Sequence, residues 1–192
     1  MHFLLPHICP LCLQKCCAKT LLCHDCWQTL PKHQLACQKC GRAVTNTDIC
    51  GQCLTKLPMF DQLHAAFWYQ SAIQKLILGF KFHHNFLYGK ILTIALIERI
   101  QQAYQIYPMP EIMVPVPLHW SRQLARGYNQ SILIARQLQR DLSIPFNTTL
   151  CQRNRATKRQ TDLTYRQRQQ NVKKAFRVKP HPYKHIAIVD DV

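Results

Sequence analysis

Four Cys-x-x-Cys pairs stand near the start of the chain: "CPLC" (Cys9, Cys12), "CHDC" (Cys23, Cys26), "CQKC" (Cys37, Cys40) and "CGQC" (Cys50, Cys53), with gaps of 10, 10 and 9 residues. A two-residue spacer lets both thiolates of a pair face one tetrahedral Zn²⁺, and a second pair closes the shell. The spacing leaves the partnership open. Cys9, Cys12, Cys23 and Cys26 on one zinc with Cys37, Cys40, Cys50 and Cys53 on another is the simplest scheme, and interleaved pairs meet the same spacing. Cys16 and Cys17 break the period and His24 lies inside a pair, so each is an alternative donor. Four thiolates leave no position for a substrate, so the expected zinc is structural. It supplies folding energy to a segment poor in large apolar residues.

A second kind of chemistry lies at the other end, in "HIAIVDDV", His185 to Val192. Ile186 to Val189 reads as a strand buried on both faces, with Asp190 and Asp191 where it ends. In open α/β sheets ligands bind at the carboxyl ends of strands. Between the two ends, "VPVPLHWSRQLARGYNQS" places Arg122, Arg126 and Gly127 after a strand and before a helix. Amides at a helix start, glycine allowing close approach and forked guanidinium groups make a phosphate seat, against the plainer reading of a solvated loop. The run "RNRATKRQTDLTYRQRQQNVKKAFRV" carries Arg153, Arg155, Lys158 and Arg159, with Tyr165 in its middle and Asp162 as its one acid. Such a run is a nucleic-acid contact, a phosphate-gripping flap or a solvated helix.

These residues need elements to position them. Ten of the eleven cysteines lie between residues 9 and 53, which predicts a cysteine-rich module over residues 1–60 joined to a differently stabilised domain over residues 61–192. In the second region "HAAFWYQ" is strand-like, and "SAIQKLILGFKF" reads as a helix with Ile73, Leu76, Ile77 and Phe80 on one side. A long helix from about Phe86 to Gln105 follows, then a strand in "EIMVPVP" and a helix from about Asn129 with Ala135, Leu138 and Leu142 at helical spacing. Strand and helix in alternation predict an α/β domain with a parallel sheet flanked by helices.

Composition narrows the partners. With 25 Lys and Arg against 9 Asp and Glu the net charge is +16, which suits polyanions, either nucleic acid or phosphorylated metabolites. Pro6, Pro10 and the cysteines interrupt any export signal, so a cytoplasmic location with reduced thiols is expected. The most apolar helical stretch, Phe86 to Ile97, is far shorter than the ~20 residues of a membrane span, so no membrane crossing is expected.

In order along the chain, the Cys-x-x-Cys array, "LGFKFHHN", "VPVPLHWSRQLARGYNQS", "RATKRQTDLTYRQRQQNVKKAF" and "IAIVDDV" resemble the ComF family, above all its proteobacterial branch linked to DNA utilisation or natural transformation. These are competence-associated proteins with an N-terminal cysteine module and a phosphoribosyltransferase-like domain. The resemblance implies phosphoribosyl pyrophosphate and Mg²⁺ as ligands. Asp190 and Asp191 would meet the ribose hydroxyls directly or through Mg²⁺, Arg122, Arg126 and Gly127 would lie near the pyrophosphate, and Lys81 would lie near the same site. Residues 153–178 would be the family's basic flap. The competing expectation is a non-enzymatic, zinc-stapled adaptor that binds single-stranded DNA or a competence helicase through that flap. By the same resemblance, Val192 precedes the 5′-phosphate loop. A chain ending there is expected to hold half of the ligand site, to be inactive as a transferase, and to be unstable.

Overall fold

The computed structural model describes residues 7–16, 18–157 and 164–192, less the side chains of Tyr165, Arg166, Arg168 and Gln169. Lys158, Arg159 and the Tyr165 side chain therefore lie outside the described residues. Two compact units form, Met1–Tyr107 and Pro108–Val192.

The first unit begins with one local design used twice. The Cys9 N–H donates to Gln14 O at 2.7 Å and the Leu13 N–H to Cys9 O at 2.8 Å; the Cys37 N–H donates to Arg42 O at 2.7 Å and the Gly41 N–H to Cys37 O at 2.8 Å. Antiparallel bridges Ile8↔Lys15 and Ala36↔Ala43 close the two turns in the same register. The residue after the second cysteine must take a left-handed backbone, φ 67° at Leu13 and φ 70° at Gly41. Glycine adopts that conformation freely, whereas leucine is strained by it. The third cysteine of each set then N-caps a short helix: Cys23 precedes α1 (His24–Gln28) and Cys50 precedes α2 (Gly51–Thr55).

Two longer helices complete this unit, α3 (Ala72–Phe82) and α4 (Phe86–Ala103). Ile73, Leu76, Ile77 and Phe80 of α3 are buried, the stripe their spacing predicts. The helices pack closely because each has a glycine at the contact. A Cβ at Gly79 would stand 2.5 Å from the Tyr88 ring, and one at Gly89 2.5 Å from the Phe80 ring. Cys9, Leu22, Cys23, Trp27 and Leu30 of the first four-cysteine module share one apolar core with Ile73, Leu76, Ile77 and Ile91. The strand expected in "HAAFWYQ" does not form. That segment makes a single bridge, Lys32↔Phe67, flanked by the His33 N–H to Ala66 O at 2.9 Å and the Trp68 N–H to Pro31 O at 2.8 Å. Its partner is a short extended piece beside Pro31, which lacks a donor and cannot continue a ladder.

The second unit is built on β1 (Ile112–Pro115), which pairs in parallel with β4 (Ile186–Val189), Ile112 opposite Ile186 and Pro115 opposite Val189. On its other edge Met113 bridges Phe146 in parallel, the Met113 N–H donating to Pro145 O at 2.8 Å and the Asn147 N–H to Met113 O at 2.9 Å. Flanked on both edges, β1 is buried along its length. Between β1 and Phe146 run α5 (Trp120–Arg126) and α6 (Gln130–Leu142), and α6 packs against both strands of the sheet. Of the expected apolar positions on α6, Ala135 and Leu138 are buried and Leu142 is half-buried. Outside the parallel sheet, β2 (Cys151–Arg153) pairs antiparallel with β3 (Phe176–Val178), and α7 (Tyr165–Val172) lies between them in the chain. The expectation that Ile186 to Val189 is buried on both faces is corrected here. Only Val189 is buried and Ile188 is 74% exposed: among the described residues β4 pairs with β1 alone, and α6 is the helix packed against this sheet, so β4 is not covered on both faces.

Candidate functional site

Folding decides the cysteine pairing that spacing left open. Cys9, Cys12, Cys23 and Cys26 gather in one set and Cys37, Cys40, Cys50 and Cys53 in another, with all four sulfurs of each set within 4.8 Å of one another. Cys12 Sγ lies 3.5 Å from Cys23 Sγ, and Cys40 Sγ lies 3.6 Å from Cys50 Sγ. Zn–S bonds of about 2.3 Å give tetrahedral edges of about 3.8 Å, so both sets fit zinc without rearrangement. Cys16 and His24 stand outside the sets, and Cys17 lies outside the described residues.

Backbone amides prepare one thiolate in each centre. The Cys50 N–H, 3.3 Å from Cys37 Sγ, heads the donors that lower the Cys37 thiol to about 6 against the opposing effect of burial. At Cys9, burial alone would raise the thiol, and the N–H groups of Cys23, Leu11 and Cys12 overcome it, again to about 6. Burial and the neighbouring sulfurs push Cys53 up to about 12 and raise Cys26 as well. Sulfurs crowded this closely ionise together only when a cation neutralises them, which is what Zn²⁺ does. The residues present fit structural zinc.

The second cluster forms where β1 and β4 end. Asp190 Oδ1 accepts from the Ser131 hydroxyl at 3.0 Å and from the Asp191 N–H at 2.9 Å. Ser131 is held there by the start of α6, where Asn129 Oδ1 accepts from its N–H at 2.9 Å and Asn129 Nδ2 donates to Val116 O at 3.0 Å. Asn129, Gln130 and Ser131 are all buried, an unusual run of polar side chains that is satisfied by these bonds and by Arg126 Nη1 donating to Gln130 Oε1 at 2.8 Å.

Two guanidinium groups meet beside Asp190. Arg122 donates to the Thr157 carbonyl and Arg153 to the Thr157 hydroxyl. Burial, then repulsion from Arg122, lowers the Arg153 guanidinium below its usual value, and Asp190 opposes the shift. Arg153 Nε is buried without a hydrogen-bond partner, and its guanidinium carbon sits 5.3 Å from the Phe176 ring centre. Tyr128 joins the cluster from the α5–α6 turn: burial raises its phenol most, Asp191 raises it further, and Gln130 and Arg126 lower it. Gly127 takes φ 79° to end α5, so its role here is a backbone conformation.

The structure thus gathers Arg122, Arg126, Arg153, Asp190 and Asp191. It uses Arg155 differently, since Arg155 Nη2 donates to the carbonyls of Asn171 and Lys173 at 2.9 and 2.7 Å, closing the end of α7. Lys81 belongs to the last turn of α3 in the first unit. Sequence reasoning missed Ser131, Asn129 and Tyr128. The signal available was the polar run "YNQS" at a helix start, which reads as ordinary capping until the strand end that it faces is known.

Class and family follow. Two tetrathiolate centres, a helical pair built on the first of them and a small parallel α/β sheet define a zinc-ribbon protein with an α/β domain. Residues 1–54 match the double zinc ribbon domain. Over 182 residues the chain is 34% identical to competence protein F of Haemophilus influenzae, covering 91% of this chain and 79% of that one. It is 32% identical over 175 residues to the DNA utilization protein YhgH of Escherichia coli K12, covering 89% of this chain and 77% of the relative, and 31% identical to YhgH of Salmonella typhi with the same coverage. The chain belongs to the family of these competence and DNA-utilization proteins, the ComF family its motifs resemble. No solved structure matches it.

Proposed function

We propose that this protein acts in the cytoplasm in DNA uptake or use, and that its second unit binds phosphoribosyl pyrophosphate with Mg²⁺ on a phosphoribosyltransferase-like sheet. The names of its relatives support the role in DNA uptake or use. The observation that carries the second is the approach of Arg122 and Arg153 to Thr157 beside Asp190. Two like charges brought together at the carboxyl ends of parallel strands suit a dianionic ligand. In this reading the two guanidinium groups and Arg126 hold the pyrophosphate, with the turn at Gly127 beside it. Asp190 and Asp191 would hold the ribose hydroxyls directly or through Mg²⁺, which would supply charge neutralisation for the leaving group. Among the described residues no helix is long and apolar enough to cross a membrane. Calorimetric titration with phosphoribosyl pyrophosphate and Mg²⁺ tests the reading: saturable, Mg²⁺-dependent binding lost on Asp190→Asn is expected, and equal binding by the variant would refute it. Incubation of labelled ligand with candidate bases then decides whether transfer follows.

A second reading rests on α5, which buries none of its residues and leaves Trp120 67% and Leu124 75% exposed beside the arginines. An exposed indole within a basic surface can stack a base, and this supports the adaptor that binds single-stranded DNA or a competence helicase, with Arg153, Arg155, Lys158, Arg159 and Tyr165 along the strand. Oligo-dT affinity that falls steeply with salt, and that drops on Trp120→Ala, would favour it.

A further inference from the structure

The second four-cysteine module borders a cleft of about 530 Å³, outside the charged cluster at the sheet end. Leu35, Gln38, Asn46, Thr47 and Asp48 line it from the module, and Arg99 enters from α4. Arg99 Nε is buried and has no hydrogen-bond partner. A guanidinium held in a cleft among amide and hydroxyl groups is a site for an oxyanion. Three features choose among oxyanions. The cleft has one cation, where a nucleic-acid backbone calls for a row of them. It contains a carboxylate of its own, Asp48, which would repel a polyphosphate. Its one ring, His33, is buried and already packed against the Trp68 ring, with centres 4.2 Å apart, so it is not a free platform for a base.

We infer that this cleft docks a peptide segment of a partner protein, with a single glutamate or aspartate side chain on Arg99 and its neighbouring backbone against Gln38, Asn46 and Thr47. Charge complementarity at Arg99 is the argument for the occupant: its buried Nε has no acceptor, and Asp48 limits the negative charge that the cleft takes up to a single carboxylate. The exposed Leu35 side chain, at 73%, offers an apolar contact beside the carboxylate position. The inference does not depend on phosphoribosyl pyrophosphate binding, since the cleft is formed by the first unit.

His64 gives a direct readout. Burial, and then the charge of Arg99, lowers its imidazole below the usual value, so a carboxylate on Arg99 must raise it. The experiment is NMR titration of the zinc-loaded full chain with five-residue capped peptides carrying Glu or Gln at the centre, and separately with oligo-dT. The Glu peptides are expected to shift the amides of residues 45–48, raise the His64 midpoint, and bind about tenfold more tightly than their Gln counterparts. Arg99→Gln should abolish that preference. Asp48→Asn should tighten Glu-peptide binding by removing the repelling carboxylate, an improvement that a damaged fold cannot imitate. Equal binding of Glu and Gln peptides, no response of residues 45–48, or a larger response to oligo-dT would each overturn the inference.

Discussion

Asp190 illustrates how one carboxylate is aimed. Its Oδ1 is fixed by the Ser131 hydroxyl at 3.0 Å and the Asp191 N–H at 2.9 Å, which orients the carboxyl plane at the strand end. Ser131→Ala is predicted to cost about 1 kcal/mol of stability, the usual worth of such a bond, and to weaken Mg²⁺-dependent ligand binding by more than it weakens the fold. Thermal melting and calorimetry on one variant compare the two effects. Arg153 should behave in the opposite way. Its buried, unpartnered Nε and its repulsion from Arg122 are unfavourable without a ligand, so Arg153→Met should leave the unliganded melting temperature equal or higher. Ligand affinity should fall by about tenfold or more, the worth of a charge-assisted bond. A clear loss of stability with affinity intact would show that Arg153 is structural. The residue types at this site were legible in the sequence, since the arginines and the paired aspartates stand out. Their convergence was expected only through the family resemblance and could not be read from local spacing, because Arg122, Arg153 and Asp190 lie on three separate segments.

At the scale of elements, the α3–α4 pair depends on two glycines that face aromatic rings. A methyl at Gly89 would lie 2.5–2.8 Å from Phe80, which is 2% exposed and has nowhere to move. Gly89→Ala should therefore destabilise the first unit by about 1–3 kcal/mol, the range for overpacking. Gly79→Ala meets Tyr88, a half-buried ring with room to swing outward, so its cost should be smaller. Urea unfolding of the two variants, read at the helical signal, checks the order. If Gly79→Ala were the worse of the two, the rigidity assigned to Phe80 would be wrong. The helices themselves were readable from their apolar stripes. α5 was not, because a helix that buries nothing carries no periodic signal. The failed strand in "HAAFWYQ" shows the converse: alternation gives a face to bury, but a ladder also needs a partner with free donors.

For the whole molecule, the two zinc centres should be unequal. Cys9 and Cys23 are part of the core that holds Ile73, Leu76, Ile77 and Ile91, whereas the second set lies outside that cluster. Cys9→Ser is predicted to release hydrogen-exchange protection across α3 and α4 as well as in the first module. Cys37→Ser should release the second module and spare α3. The strands and α6 should stay protected in both variants, since among the described residues their unit contributes no sulfur to either four-cysteine set. Equal loss throughout the first unit from either substitution would refute the asymmetry. By itself the sequence determined that the cysteines bind metal, that helices and a parallel strand pair follow, and that charge gathers in two connections. These are matters of local spacing and period, carried by neighbours along the chain. Which cysteine pairs share a zinc, that α3 and α4 rest on the first centre, and that Ser131 meets Asp190 were decided only by tertiary structure. Each joins residues far apart in sequence, and such contacts form only when burial and hydrogen bonding together offset the entropy of bringing distant segments to one place.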